Sequence, residues 1–239
     1  MTPTTPTILP RIDLSFPIVQ GLIVPIEHAH QLLGAIKQTA PQLAEVPIGL
    51  HPLRGTPLPE GLLHLRHHAP LRLRLPADRI AAALPLAGKE LRIGSMLIRL
   101  GSPSIEVMEP HAELYARTVI VAKTSPKAER GEDQRGNRVM TEAELITHIQ
   151  SRCNIGATVR ILRWRTIRLH GKGQNQSHLH VKGAEVVIEG LDAEHSLAIQ
   201  ANGIGGRRAF GCGIFVKAGV RKIVASGATA AMGKDVGNG

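Results

Sequence analysis

Arg207 and Arg208 stand inside the run Gly203-Ile204-Gly205-Gly206-Arg207-Arg208-Ala209-Phe210-Gly211-Cys212-Gly213-Ile214-Phe215, where five glycines fall within eleven residues. Glycine tolerates positive φ and carries no Cβ, so such a loop can bend sharply and bring backbone N–H groups close to a ligand. Oriented N–H groups beside two guanidinium groups suit phosphate oxygens, the first supplying dipoles and the second bidentate charge. The loop follows a helix-like segment, 192–201, and precedes a short strand, the reverse of a nucleotide P-loop, whose Gly-Lys-Ser/Thr is also absent. A dinucleotide fingerprint fails too, because Arg208 stands where its third glycine belongs. The chemistry that remains is polyanion binding by Gly205, Gly206, Gly211, Arg207 and Arg208, without a mononucleotide signature.

Histidine, which titrates near neutral pH, supplies the second kind of chemistry. His28 and His30 fall in the segment 25–40, where Ile26, Ala29, Leu33, Ile36 and Ala40 recur at helical spacing. On that helical wheel His28 projects to roughly the side opposite the apolar face, and His30 sits on the shoulder of that face as a packing residue. A histidine pointing away from the core is free to meet a ligand, and it is equally what any solvated surface histidine looks like. His51, next to Pro52 and near Arg54, is either a reactive group or a residue pinning a proline-bent loop. His67-His68 and His178-x-His180 have spacings that suit a metal, but no carboxylate or thiolate stands near to complete a set. They read as polar turn residues, and neither a metal nor a cofactor is expected.

A net charge of +10 over 239 residues favours a polyanionic partner, most often nucleic acid. Aromatic residues are only 2% of the chain, too few for base stacking to be the main mode of binding. An RNA partner would therefore be read through its backbone, its stem shape and a few base edges. Cys153 and Cys212 form no Cys-x-x-Cys pair, which excludes zinc ribbons and redox motifs. No secretory h-region or membrane-length apolar run is seen, so a cytoplasmic protein without a membrane partner is expected.

The elements that must carry these residues can be read from periodicity. Strand 12–19 leads into the helix 25–40, and a proline- and glycine-rich connection occupies 46–61. Segments 62–66 and 71–75 read as a strand pair, with Arg72 and Arg74 alternating outward from its second member. A short helix, 77–84, precedes strands at 90–100 and 103–108. In the second half a β-rich run at 114–123 carries Tyr115, Arg117 and Lys123, and a charged loop fills 124–140. Thr141-x-x-Glu144 is a capping box opening a helix that runs to about residue 153. Strand 158–169 holds Arg160, Arg163, Arg165 and Arg168, followed by a polar turn, 171–183, with Lys172. Arg163 and Arg165 share one face by period two, and Arg160 and Arg168 share the other. Strand 184–189, a helix N-capped by Asp192, the glycine loop and strand 212–217 complete the series. The order β-α-β-β-α-β appears cleanly in the second half and loosely in the first. The expected fold is α+β, two tandem ferredoxin-like (RRM-like, βαββαβ) domains at 11–110 and 111–218, between a flexible N-terminus, 1–10, and a flexible tail, 219–239.

A C-terminal glycine-rich loop with an internal arginine pair, on a tandem ferredoxin-like chain, resembles the repeat-associated (RAMP) RNA-binding proteins of CRISPR systems. Within them the chain is similar to the Cas six family of endoribonucleases that cut CRISPR repeat RNA into guides. Ile12-Asp13-Leu14-Ser15-Phe16-Pro17, Ile48-Gly49-Leu50-His51-Pro52-Leu53-Arg54-Gly55 and Leu84-Pro85-Leu86-Ala87-Gly88-Lys89 point to its MYXAN-type variant. The resemblance covers roughly residues 12–216. It implies cleavage of one phosphodiester at the base of a repeat hairpin, without a metal, by attack of a ribose 2′-hydroxyl on its own phosphate. The products would be a 2′,3′-cyclic phosphate and a 5′-hydroxyl, and the implied partners are repeat RNA and other CRISPR-associated subunits of an interference complex.

That chemistry asks for a base, an acid and cations around the phosphorane. The resemblance, which places the catalytic histidine in or beside the first helix, makes His28 the leading base and His51 a second catalytic candidate. Arg117 and Lys123, at the two ends of one strand, are candidates to stabilise the phosphorane. Tyr115 either orients the phosphate or packs at the core edge. Arg207, Arg208, Arg163, Arg165, Arg168, Lys172, Arg72 and Arg74 are the candidate RNA contacts, with Gly205, Gly206 and Gly211. The competing reading is a catalytically silent subunit that holds guide RNA on the same two domains.

Overall fold

A computed structural model describes residues 10–120, 122–124, 137–170 and 178–219. The expectations for the two termini (but for residues 10 and 219), for most of the loop 124–140 and for Lys172 lie outside the described residues. Side chains are described for the same ranges except 122–124, 137–139, 168–170 and 178–180, which leaves out those of Lys123 and Arg168.

The first unit runs β1 (Arg11–Gln20), β2 (Ile23–Pro25), α1 (Ala29–Thr39), β3 (Gly49–Leu50), β4 (Gly55–Leu58), β5 (Leu62–Leu65), β6 (Pro70–Pro76), α2 (Ile80–Ala83), β7 (Glu90–Ile93), β8 (Met96–Leu100) and β9 (Ser104–Val107). Ile12, Leu14, Phe16 and Ile18 alternate along β1 and are all buried, as period two demands of a half-buried strand. β6 answers with Leu71, Leu73 and Leu75, and the antiparallel register sets Leu73 opposite Leu14. β3 joins the far side of β6, and β9 pairs with β1. The spatial order β3-β6-β1-β9, built from β1-α1-β3-β6-α2-β9, is the split βαβ arrangement of a ferredoxin-like unit. Leu32 and Ile36 of α1 close one core over this sheet.

The structure corrects four expectations in this half. Segments 62–66 and 71–75 do not pair with each other: β5 lies between β2 and β4 in a separate three-stranded sheet, while the leucine face of β6 finds its match on β1. The connection 46–61 contains β3, two residues long and therefore invisible to periodicity, and β4. The strand 90–100 is a hairpin, turned at Gly94 with φ 64° between Ile93 and Met96. Finally, α1 starts at Ala29 rather than residue 25, because Pro25 is held in β2 opposite Leu62 and Ile26 N donates to Gly61 O. Ile26, expected on the apolar face, is exposed.

The second unit runs β10 (Leu114–Val119), β11 (Ala122–Thr124), β12 (Asn137–Val139), α3 (Glu142–Gln150), β13 (Thr158–His170), β14 (His178–Glu189), α4 (Ala193–Asn202) and β15 (Val216–Lys217). Its sheet order, β13-β14-β10-β15, repeats the first unit's arrangement. The capping box forms as read: Glu144 N donates to Thr141 Oγ1 and Thr141 N to the Glu144 carboxylate. Asp192 accepts from His195 N at 2.8 Å and so caps α4. Leu114, Ala116, Val186 and Ile188 form a second core with Leu145 and Ile149 of α3 and with Ile199 of α4. The strand expected over 212–217 is reduced to β15, because Gly213 turns at φ 66° and gives its N–H to Thr118 O. Among the described residues, no helix is long and apolar enough to cross a membrane.

Candidate active site and nucleic-acid interface

The glycine loop lies between the two units, and its glycines are explained by close approach. A Cβ on Gly205 would stand 2.3 Å from Ile120 O, and one on Gly213 2.3 Å from Ile204 O; both have positive φ. At Gly211, φ 81°, a Cβ would meet the Pro52 ring at 2.8 Å, so this glycine lets the loop dock on the first unit. Many of the loop's amides are already engaged: Gly206 N bonds Ile120 O, Gly211 N bonds Arg208 O and Cys212 N bonds Arg207 O. The expected cradle of free donors is thus corrected, since these N–H groups hold the loop together. Gly205→Ala should lower stability by more than about 1 kcal/mol in urea titration, being both strained and obstructed. Gly206→Ala, whose Cβ meets nothing within 4 Å, should leave the midpoint nearly unchanged.

A cleft of about 250 Å³ opens where the loop meets the start of α1. His28, His30, His51, Arg117, Arg165 and Gly211 line it together, although they come from distant parts of both units. His28 is only 7% exposed, which corrects the surface position read from the wheel. It precedes α1, and the side turned from its own core is covered by the second sheet, whose Thr166 and Ile167 line the same cleft. Its Nδ1 lies 2.9 Å from Pro25 O. A carbonyl can only accept, so Nδ1 carries the proton and Nε2 of the neutral ring is a bare base. Burial, and after it the charge of Arg117, hold the His28 pKa below the ordinary histidine value against the opposing pull of the Pro25 carbonyl.

His30 is exposed rather than packed in its own core, and its ring lies parallel to Phe210 of the glycine loop, centroids 6.3 Å apart. His51 is 9% exposed, with Nε2 3.2 Å from Asp13 Oδ2. Burial keeps its pKa low despite that carboxylate, and its backbone N–H bonds Arg72 O, which fixes the bend before Pro52. Arg117 reaches the cleft beside Arg165; its pKa is lowered by desolvation and then by its neighbour's like charge. Tyr115 stands behind the cleft, buried, with its hydroxyl donated to Glu185.

Glu185 organises the arginine strand. Arg163 and Arg165 both bond its carboxylate, the latter at 2.9 Å. Burial alone would raise this carboxyl, but the bonds from Tyr115, Arg163 and Arg165 bring its pKa down to about 2. The register also corrects the two-face reading of β13. It shifts between Ile161 and Arg163, so Arg160 opposite Val187 and Arg163 opposite Glu185 fall on the same face. A bulge at Leu162 thus gathers Arg160, Arg163 and Arg165, leaving Arg168 opposite His180.

Two expected RNA contacts on β6 are otherwise occupied. Arg74, 4% exposed, bonds both oxygens of Asp13 and the backbone carbonyls of Gln200 and Phe215, all within 2.8 Å. It ties β1 and β6 to the end of α4 and the approach to β15, because the outward face of β6 is where the second unit packs. Arg72 is paired with Glu106 at 2.9 Å. Arg207, Arg208, Gly205 and Gly206 line a separate cleft that His28, His30 and His51 do not share. Arg11, His148 and Arg152 join them there, none of which periodicity could have singled out, since nothing local links residues 11, 148 and 207. His67 and His68 sit exposed in the β5–β6 turn, and among the described residues no group of three or more His, Cys, Asp or Glu could hold a metal ion.

Residues 12–219 match the family model described as Cas6 Crispr. A CRISPR-associated endonuclease Cas6 of Myxococcus xanthus (strain DK1622) is 34% identical over 212 residues, 87% of this chain and 82% of that protein. Among solved structures, a Cas6-related protein from Pyrococcus furiosus is similar at TM-score 0.60 and 13% identity, over 89% of this chain and 99% of that one. A RAMP protein binding different RNA substrates gives a TM-score of 0.54 at 17% identity, covering 86% and 98%. The tandem ferredoxin-like architecture, the glycine loop and these matches lead to one assignment: the chain belongs to the Cas6 family.

Proposed function

We propose that this chain is an endoribonuclease that binds CRISPR repeat hairpin RNA and cuts it at the stem base without a metal ion. The observation that carries the reading is His28, a buried neutral histidine whose Nδ1 is anchored on Pro25 O, in a cleft with two arginines. Its Nε2 removes the proton of a ribose 2′-hydroxyl; the 2′-oxygen attacks the adjacent phosphorus, and the bond from phosphorus to the 5′-oxygen breaks. The 5′-oxygen leaves with a proton from a solvent water in the open cleft, giving a 2′,3′-cyclic phosphate and a 5′-hydroxyl, and the hydroxide left behind takes the proton from His28. Arg117 and Arg165 stabilise the dianionic phosphorane, a role suited to fixed cations in a partly dry cleft. The guanidinium groups of Arg117 and Arg165 disfavour a divalent cation at this cleft, which supports metal-independent chemistry. His51, buried against Asp13, positions the Pro52 bend that meets Gly211. Arg207 and Arg208 contact the RNA, and the processed RNA stays bound within a larger interference complex.

The test is cleavage of labelled repeat hairpin RNA in EDTA, beside a substrate with a single 2′-deoxy sugar at the cut. One cut in the normal RNA, none in the deoxy RNA and a cyclic phosphate end are expected. Product retention would appear as a burst equal to the enzyme concentration. Binding without any cleavage would replace this reading by a silent guide-binding subunit.

A further inference from the structure

We propose that Trp164 is a stacking platform for one unpaired nucleobase of the RNA, the base on the single-stranded side of the cut. Trp164 is the only tryptophan in the chain and is 40% exposed, whereas Phe16, Phe215 and Tyr115 are buried and Phe210 is half-buried beside His30. Its position follows from the register. Trp164 lies opposite Ala184, on the face of β14 that carries Val186 and Ile188 into the second core. The indole is therefore on the helix-covered face of the sheet. α3 begins only at Glu142, however, and reaches just one edge of the ring, where Trp164 Nε1 donates to Glu142 Oε2 at 3.4 Å. The rest of the indole borders a cleft of about 320 Å³, which Thr166 and Lys182 also line.

One exposed apolar side chain is ordinary on a protein surface. This one has the surroundings of a base site: a flat ring held by one edge, with a carboxylate, a hydroxyl and an ammonium group around the same cleft. Indole stacks on the π-face of any base, and polar groups at its rim can pair with the base edge. The scarcity of aromatic residues excludes stacking along a whole strand, but it leaves room for a single platform. Arg165 and Thr166 line both this cleft and the histidine cleft, so the two are neighbours along β13, the outer strand of its sheet. An RNA whose phosphate sits beside His28 therefore has its next nucleotide within reach of Trp164. That nucleotide lies outside the stem, and an unpaired base has its faces open. Phosphate contacts carry no base information, so the platform differs in kind from the arginines: it asks for a base at one place next to the cut.

The inference rests on the RNA-binding part of the proposed function, and its test needs no cleavage. The probe is hairpin RNA blocked by a 2′-deoxy sugar at the cut, with the adjoining unpaired nucleotide either intact or abasic. A third RNA carries the abasic residue several nucleotides further out. Because the chain has one tryptophan, its fluorescence reports this ring alone. Intact RNA should quench it, the adjoining abasic RNA should leave most of the emission, and the distant abasic RNA should quench like intact RNA. Wild type should bind the adjoining abasic RNA roughly 5- to 150-fold more weakly than intact RNA, the range of one base–aromatic stack. Trp164→Ala should show the same loss on intact RNA and no further loss on abasic RNA, since both changes remove one interaction. Its salt slope should match wild type, because no phosphate contact is lost, and Trp164→Phe, which keeps a flat ring, should regain much of the affinity. Absence of quenching by intact RNA, equal quenching by intact and adjoining abasic RNA, or additive losses in the cycle would overturn the platform. If quenching and affinity behave as expected while wild type never cleaves its normal substrate, the platform stands and the nuclease reading falls. If wild type cleaves and binds the abasic RNA as tightly as the intact one, the nuclease stands without the platform.

Discussion

Replacing His28 by alanine should slow single-turnover cleavage in EDTA by roughly 10²–10⁴-fold, the usual contribution of a positioned general base. RNA affinity should change little, since the bond lost is to a transferring proton rather than to a phosphate. The pH dependence offers a second check. Burial and Arg117 hold His28 below the ordinary histidine value of about 6.5, so its basic form stays populated at neutral and mildly acidic pH. Cleavage should therefore be lost only as pH falls through that lowered value, and the acid limb should vanish from the residual activity of His28→Ala. Stability follows the same sign: between the folded and unfolded pKa values the unfolded chain binds more protons, so stability falls as pH drops below about 6.5. Far-ultraviolet circular dichroism confirms that the variant is folded before rates are compared. A His28→Ala enzyme as fast as wild type would refute the assignment and move the search for the base to His51.

Arg74→Met should produce the largest loss of stability. It strips Asp13 of its bidentate partner and leaves the Gln200 and Phe215 carbonyls without their donor, all at the junction of the two units. Breaking a buried ion pair from one side costs about 3–5 kcal/mol. For a chain of this size that is a fall in Tm on the order of 6–20 °C. Asp13→Leu/Arg74→Met should lose less than Arg74→Met, because no charge is then left buried alone. The acid side agrees in sign. Burial would raise the Asp13 carboxyl, but the bonds from Arg74 and His51 hold it well below the usual carboxylate range. Its contribution is thus present above about pH 3.9 and lost only as pH falls through the lower folded value. An unchanged urea midpoint in Arg74→Met, with weaker salt-dependent RNA binding instead, would return Arg74 to the RNA surface.

Arg74 shows why part of the site was illegible. Period two puts it on the face of β6 opposite Leu73, and that much is correct. Whether that face meets solvent, RNA or another unit depends on how two sheets pack, which no local pattern encodes. Arg160 makes the same point on a smaller scale: one bulged residue, Leu162, reverses the alternation and moves it to the face of Arg163. His28 was found through its place beside the first helix, yet its burial and its tautomer follow from Pro25 and from a second sheet more than a hundred residues away.

By itself, the sequence determined what local chemistry can determine. The capping box at Thr141, the cap at Asp192, the alternating apolar strands, the basic balance and the glycine loop each depend on neighbours a few residues apart. They were enough for the doubled ferredoxin-like pattern, while the family came from a resemblance carried by the glycine loop and the stretches 12–17, 48–55 and 84–89. The tertiary structure alone decided which charges are paired with the protein's own carboxylates, as Arg74 is with Asp13 and Arg163 with Glu185, and which line open clefts, as Arg117 and Arg207 do. It also decided that the glycine amides mainly close the loop upon itself and the neighbouring strand. The physical reason is that desolvation and pairing are set by contacts between segments far apart in the chain. An arginine on a strand has one propensity and one period, whether its partner is Asp13, Glu185 or a phosphate.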